Sequence, residues 1–268
     1  MKAGTTSLHN YLDQHPDVSM SRPKELNFFL AEEDDPSAGP RPDWNFYRGV
    51  EWYAQHFDQD TVARGDVSPA YSNPILGGVA RRMSSVLPDA QLFFISRDPV
   101  ARTYSHYQHD VVRGRQQASF EKVIENLESW YVQLSLYHKA LEPFIREFGE
   151  GRIVHYRQED LDSRPEVVLS DLFTRIGVSS DLSCIDFDKR LNTANAFRRP
   201  GVAGRLLSSF RTVRGHLGSK EQQFLGSPLD TGAIQDSAFS RLIAEDQESF
   251  LRDLTTGRII EALSASRQ

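Results

Sequence analysis

A single cysteine, Cys184, among 268 residues excludes an internal disulfide. It fits a reducing compartment, or a protein that makes no use of such links. Its expected place is that of a small, partly buried apolar side chain. No run approaches the roughly 18 to 20 apolar residues that cross a bilayer, and no apolar signal segment lies ahead of Lys2. Basic residues do not dominate: 31 Lys and Arg stand against 37 Asp and Glu, for a formal charge of -6. That balance argues against a general nucleic-acid binder, which needs a basic face. The eight histidines show no metal-ligand spacing. Repeats, low-complexity tracts and clear linkers are absent too. The expectation is a soluble, cytoplasmic protein without membrane span, nucleic-acid partner or metal.

What is present reads as an ordinary globular chain, 39% hydrophobic and 25% charged, long enough for a real core. One domain over residues 1–268 is the simplest organisation. Residues 6–14 carry Leu8, Tyr11 and Leu12 on one helical face, and His15-Pro16 ends the pattern. Residues 31–45 are acidic and rich in Pro and Gly, which predicts a surface loop. Residues 63–68 predict a short strand. Residues 74–87 predict a helix with Ile75, Val79, Met83 and Val86 as its stripe. The continuous apolar run AQLFFIS, residues 90–96, predicts a fully buried strand of a parallel sheet. Helices are expected over 99–113, 120–130, 134–148, 165–176 and 238–254, and a buried strand over 152–156. Residues 198–232 are basic and irregular. Strands alternating with helices predict an α/β fold, with a mostly parallel sheet covered on both faces.

Two stretches carry chemistry. The first is KAGTTSL, residues 2–8. A helix N-terminus offers unpaired N–H groups and the positive end of its dipole to an anion. Gly4 allows close backbone approach, Thr5, Thr6 and Ser7 add hydroxyls, and Lys2 adds a mobile charge. The lysine precedes the glycine, unlike the Walker A order G-x-x-x-x-G-K-[ST]. Alone, the stretch reads equally as an ordinary Ser/Thr-capped helix start. The second is SRDPVARTYSHY, residues 96–107. Arg97 falls at the carboxyl end of a strand, where open α/β sheets bind ligands. Asp98 can cap the helix that Pro99 starts, and Ser105 lies about two turns in. Alone, Arg97 reads more readily as a salt-bridge residue.

Together these stretches resemble the sulfotransferases that use 3′-phosphoadenosine 5′-phosphosulfate (PAPS). KAGTTSL is similar to their 5′-phosphosulfate loop, and FFISRDPVARTYSHY to their 3′-phosphate strand and helix. The likeness extends to SRPKELNFF (21–29), GDVSPAYSN (65–73), GRIVHYRQEDL (151–161) and the C-terminal helix, so it covers nearly the whole chain. The pattern E-x-x-F-F at Glu25 to Phe29 resembles the heparan-sulfate and bacterial carbohydrate-type enzymes. The resemblance implies a P-loop-NTPase-like three-layer sandwich, with a mostly parallel central sheet flanked by helices.

It also implies roles. Sulfuryl transfer, like phosphoryl transfer, rests on positioning and charge stabilisation with in-line attack. Glu25 is the implied base for an acceptor hydroxyl, and Lys2 the cation beside the leaving oxygen. Lys2, Ala3, Gly4, Thr5, Thr6 and Ser7 would cradle the 5′-phosphate. Arg97 and Ser105 would hold the 3′-phosphate, with Tyr156 and one of Arg198 and Arg199 as further nucleotide contacts. Lys24, Ser68 and Tyr71 are the implied acceptor-site residues. PAPS is the implied donor, PAP (3′-phosphoadenosine 5′-phosphate) the product and a small molecule or glycan the acceptor, with no metal required. His15 is a rival base whose His-Pro context reads as structural. His106 and His109 are expected at the surface or in the groove.

One departure concerns the acceptor. Some glycan enzymes carry Glu-Lys where this chain has Asp66-Val67, so Val67 cannot supply that lysine's charge. In the resembled family a buried strand precedes the lysine loop, whereas this sequence begins one residue before Lys2. A version extended upstream is therefore expected to be more stable and more active. Two alternatives stay open: a non-catalytic PAP- or PAPS-binding protein, and a divergent P-loop kinase.

Overall fold

The structure, a computed structural model, describes residues 3–35, 41–188 and 237–256, with side chains of the last helix described as far as Leu251. The chain enters through α1 (Thr5–Leu12), then β1 (Val18–Met20), α2 (Gly49–Ala54), β2 (Ala63–Gly65), α3 (Val79–Val86) and β3 (Leu92–Ser96). There follow α4 (Pro99–Val112), α5 (Phe120–Glu125), α6 (Trp130–Gln133), α7 (Tyr137–Phe148) and β4 (Ile153–Arg157). The chain continues through α8 (Gln158–Ser163) and α9 (Pro165–Arg175), and α10 (Ala238–Thr256) is the last described helix.

The described strands form two parallel pairs. β1 runs beside β2 in the register Val18↔Ala63 to Met20↔Gly65. β3 runs beside β4 in the register Leu92↔Ile153 to Ser96↔Arg157. The period of two along the second pair sorts its side chains between two cores. Phe93, Ile95, Val154 and Tyr156 join Leu8, Tyr11 and Leu12 of α1 and Leu169, Leu172 and Phe173 of α9. Leu92 and Ile153 join Val79 and Met83 of α3, Phe144 of α7, and Phe28, Phe29 and Leu30. Helices thus cover both faces, which is the α/β layering expected from the alternation of elements.

Several local expectations change. The helix predicted over 74–87 begins only at Val79, because Gly78 at φ 77° breaks the pattern and leaves Ile75 exposed. The predicted helix 120–130 stops at Glu125, and a separate short helix starts at Trp130; each is capped by its own serine, Ser119 and Ser129. β1, α2 and α8 have no counterpart in the sequence reading, since three to six residues are too few to show a period. Leu92, Phe93 and Phe94 of β3 are partly rather than fully buried. Cys184 is exposed, contrary to expectation: it sits in the turn after α9, with Asp181 and Ser183 as polar neighbours. The basic segment 198–232 lies outside the described residues.

One buried cation ties the second core together. Arg82 of α3, 6% exposed, donates from Nε to the Phe29 carbonyl at 2.9 Å and from Nη1 to Glu33 at 3.0 Å, and it pairs through Nη2 with Asp34. The Asp34 side chain is itself almost fully buried. Arg82→Leu leaves that carboxylate uncompensated and is expected to cost about 3–5 kcal/mol of stability. Denaturant unfolding of the variant reads this directly; a loss under about 1 kcal/mol would contradict the pairing.

Candidate active site

The phosphate-loop motif folds as its composition suggests. Gly4 adopts φ 82°, where a side chain is strained, and a Cβ there would lie 3.2 Å from Cγ of Gln158 in α8. The positive φ favours glycine, and a Cβ would also press on the Gln158 side chain. The Gly4 carbonyl accepts from Leu8 N–H at 3.1 Å and starts α1. The first turn of α1 presents Thr5, Thr6 and Ser7, and all three side chains are partly exposed. Ala3 is buried. Lys2 lies outside the described residues, as do Arg198 and Arg199.

Three segments separated in sequence meet beneath this loop. A small cavity of about 20 Å³ is lined by Ala3, by Ser72 of the 65–73 segment, by Phe94 and Ile95 of β3, and by Arg102 and Tyr137. It is the size of one water. At its edge β3 gives way to α4, and Asp98 Oδ1 accepts from Ala101 N–H at 2.7 Å, the expected cap. The Tyr137 hydroxyl accepts from Arg97 N–H at 3.4 Å and donates to the Arg97 carbonyl at 2.9 Å. One phenol thus fixes both peptide groups of the candidate phosphate arginine. Burial pushes that phenol's pKa up to about 12, so it keeps its proton. Ser105 is partly exposed on α4.

Arg102 is 1% exposed and spends its guanidinium on Ser135 Oγ at 2.5 Å and on the Tyr131 carbonyl. Desolvation lowers its pKa to about 10, still charged at neutral pH. His106 corrects the sequence reading, which put it at the surface or in the groove. It is 3% exposed, because the face of α4 that carries Arg102 turns inward against α6. Burial, then the Arg102 charge, hold its pKa down at about 3. His109 is partly exposed beside Asp110. Tyr156 is buried, and its hydroxyl donates to Asp171 of α9 at 2.5 Å. His15 is buried with both ring nitrogens on backbone groups, Ser179 O at 3.0 Å and Asp17 N at 3.1 Å.

The other half of the site is the turn from Lys24 to Phe29. Glu25 and Asn27 both have positive φ, 67° and 50°, an arrangement that costs energy for non-glycine residues. Phe28 and Phe29 anchor it from below at 0% and 1% exposure, each worth roughly 2–3 kcal/mol of burial. Glu25 stays exposed and pairs with Lys24 Nζ at 2.5 Å. Lys24 also acts electrostatically on His9 of α1, whose imidazole burial has already shifted downward. The segment leading into the turn packs beside that helix, where His9 Nε2 lies 3.3 Å from the Ser21 carbonyl. Ser68 and Tyr71, expected at the acceptor site, have their hydroxyls engaged beneath this turn by Asp66 and by the amides of Asn27 and Phe28. Val67 packs against the apolar core. Sequence reasoning did not find Tyr137, Arg102 or the bracing role of Asp66. The contacts that reveal these roles span 29 to 43 positions: Arg102 to Tyr131 and Ser135, Tyr137 to Arg97, and the Ser68 and Tyr71 held by Asp66 to Asn27 and Phe28.

Comparison with known proteins decides the family. A family model described as "Sulfotransferase family" matches residues 1–181. The chain belongs to the sulfotransferase family. A solved sulfotransferase from Alicyclobacillus acidocaldarius superposes with a TM-score of 0.59 at 26% identity, covering 86% of this chain and 94% of that one. The bifunctional heparan sulfate N-deacetylase/N-sulfotransferase 2 of Bos taurus is 26% identical over 199 residues, 68% of this chain and 22% of that protein. The heparan sulfate glucosamine 3-O-sulfotransferase 3B1 of Mus musculus is 27% identical over 172 residues, 61% and 40%. The membrane-associated sulfotransferase kil1 of Dictyostelium discoideum is 33% identical over 117 residues, 41% and 21%. The matched part of this chain thus spans between about a fifth and two fifths of these curated relatives. Among its described residues no helix is long and apolar enough to cross a membrane, and no cluster of His, Cys, Asp or Glu could hold a metal ion.

Proposed function

We propose that the chain transfers a sulfuryl group from PAPS to a hydroxyl of a carbohydrate, glycolipid or related metabolite. The observation that carries this reading is the Gly4 loop, which opens α1 with a left-handed glycine, beside the strand-to-helix junction that fixes Arg97. These donors suit a nucleotide with anions at both ends. Thr5, Thr6, Ser7 and the α1 amides would take the 5′-phosphosulfate, and Lys2 would stand by its bridging oxygen. Arg97 and Ser105 would take the 3′-phosphate; among the described residues no carboxylate pairs with the Arg97 guanidinium. Buried Arg102 adds fixed positive charge behind the loop.

The reaction follows from that placement. The acceptor oxygen attacks sulfur in line, the bond from sulfur to the phosphate oxygen breaks, and PAP leaves. Glu25 takes the acceptor proton as the new bond forms, since a sugar hydroxyl is too weak an acid to ionise beforehand. The relatives' heparan sulfate names support a glycan acceptor, while Val67 argues for one less dependent on an anionic group near that position.

The test is transfer of ³⁵S from labelled PAPS to a panel of neutral oligosaccharides, uronic-acid oligosaccharides and a glycolipid. Label in a sugar product with release of PAP is expected. PAP binding without transfer to any acceptor would leave a nucleotide-binding protein, and Mg²⁺-dependent ATP turnover would favour a kinase.

A further inference from the structure

The turn that carries Glu25 is held by a second carboxylate. Asn27 N–H donates to Ser68 Oγ at 3.1 Å, and Ser68 Oγ donates on to Asp66 Oδ1 at 2.9 Å. Phe28 N–H donates to the Tyr71 hydroxyl at 2.8 Å, and that hydroxyl donates on to Asp66 Oδ2 at 2.5 Å. Two successive amides are thus relayed through two hydroxyls to the two oxygens of one carboxylate. Each hydroxyl must accept from the backbone and donate to the acid, so the pattern has a single polarity. The carbonyl side of the turn is fixed separately: Asn45 Nδ2 donates to the Leu26 carbonyl at 2.9 Å and Arg82 Nε to the Phe29 carbonyl at 2.9 Å.

This bracing explains why Glu25 and Asn27 remain at positive φ. Such backbone persists only where surrounding bonds over-determine it. Burial raises the pKa of Asp66, and its hydrogen bonds from Tyr71 and Ser68 act in the opposite direction, favouring the charged form that both relays require.

We propose that Asp66 is a positioning residue for Glu25, acting through Ser68 and Tyr71 to hold the 25–28 backbone in the conformation that presents the acid. The inference rests on Glu25 being the base, and the assignment is separate from nucleotide binding. Ser68 and Tyr71 then serve the acid rather than the acceptor.

The first test needs no acceptor. Hydrogen exchange of the peptide containing Asn27 and Phe28 is expected to quicken at least tenfold in Asp66→Asn and Tyr71→Phe, with α1 and β3 peptides unchanged. Unchanged exchange in that peptide, or equal loss of protection everywhere, would overturn the proposal. The second test is a double-mutant cycle on ³⁵S transfer from PAPS. Tyr71→Phe should lower kcat about tenfold with the KM for PAPS unchanged, and should have almost no further effect in a Glu25→Gln background. Ser68→Thr, which keeps the hydroxyl, should retain the rate that Ser68→Ala loses. Full additivity in the cycle would refute positioning through Glu25. A wild-type rate in Glu25→Gln alone would instead refute the base assignment, which the exchange result does not depend on.

Discussion

Glu25→Gln is expected to lower the sulfuryl-transfer rate by about 10² to 10⁴-fold, the usual contribution of a positioned general base. The amide has nearly the same shape, so the turn keeps its relays to Asp66 and its Phe28 and Phe29 anchors. The lost ion pair with Lys24 is largely exposed on the Glu25 side and should cost under about 1 kcal/mol of stability. PAP affinity should stay within about twofold, because the proposed nucleotide donors lie on α1 and at the end of β3. Comparing kcat and the PAP dissociation constant of variant and parent checks both halves. A variant that keeps the parent's kcat would remove Glu25 from the chemistry. One that loses PAP affinity in step with rate would make it a structural residue.

Arg97→Ala is expected to weaken PAP binding by roughly 10- to 10²-fold, the range for losing a charge-assisted, two-pronged contact to phosphate. Adenosine 5′-phosphate, which lacks the 3′-phosphate, should bind parent and variant alike. The fold should hardly notice, since Tyr137 grips the Arg97 peptide groups and not its side chain. Titration calorimetry with the two nucleotides reads the difference. An equal loss for both would mean that Arg97 supports the site generally and does not read the 3′-phosphate.

The sequence disclosed elements whose signals are local. Leu8, Tyr11 and Leu12 mark α1, Asp98-Pro99 marks the start of α4, and Gly149 at φ 76° ends α7 as its position suggested. The Gly4 loop was legible because an αL glycine before a helix leaves a short-range mark. The bracing of Glu25 was not. Ser68 and Tyr71 read as acceptor contacts, and Asp66 only as half of a changed Glu-Lys pair, because the partners of the two hydroxyls, Asn27 and Phe28, lie about 40 positions upstream. The same holds for His106: nothing near it in sequence announces that Tyr131 and Ser135 enclose the Arg102 face of α4. Where Gly78 cut short the predicted 74–87 helix, the periodic stripe misled because period alone does not register a left-handed break.

The measurement that bears most directly on the account is a thermal-shift comparison of PAP with adenosine 5′-phosphate and with ATP plus Mg²⁺. PAP at about 100 times its dissociation constant should add ~2.7 kcal/mol to the stability of the folded chain, an upward shift of roughly 5–10 °C for a protein of this size. Adenosine 5′-phosphate at the same concentration should give a much smaller shift. Equal shifts from the two adenosine phosphates, or a shift only with ATP and Mg²⁺, would contradict a site built around the 3′-phosphate of PAPS.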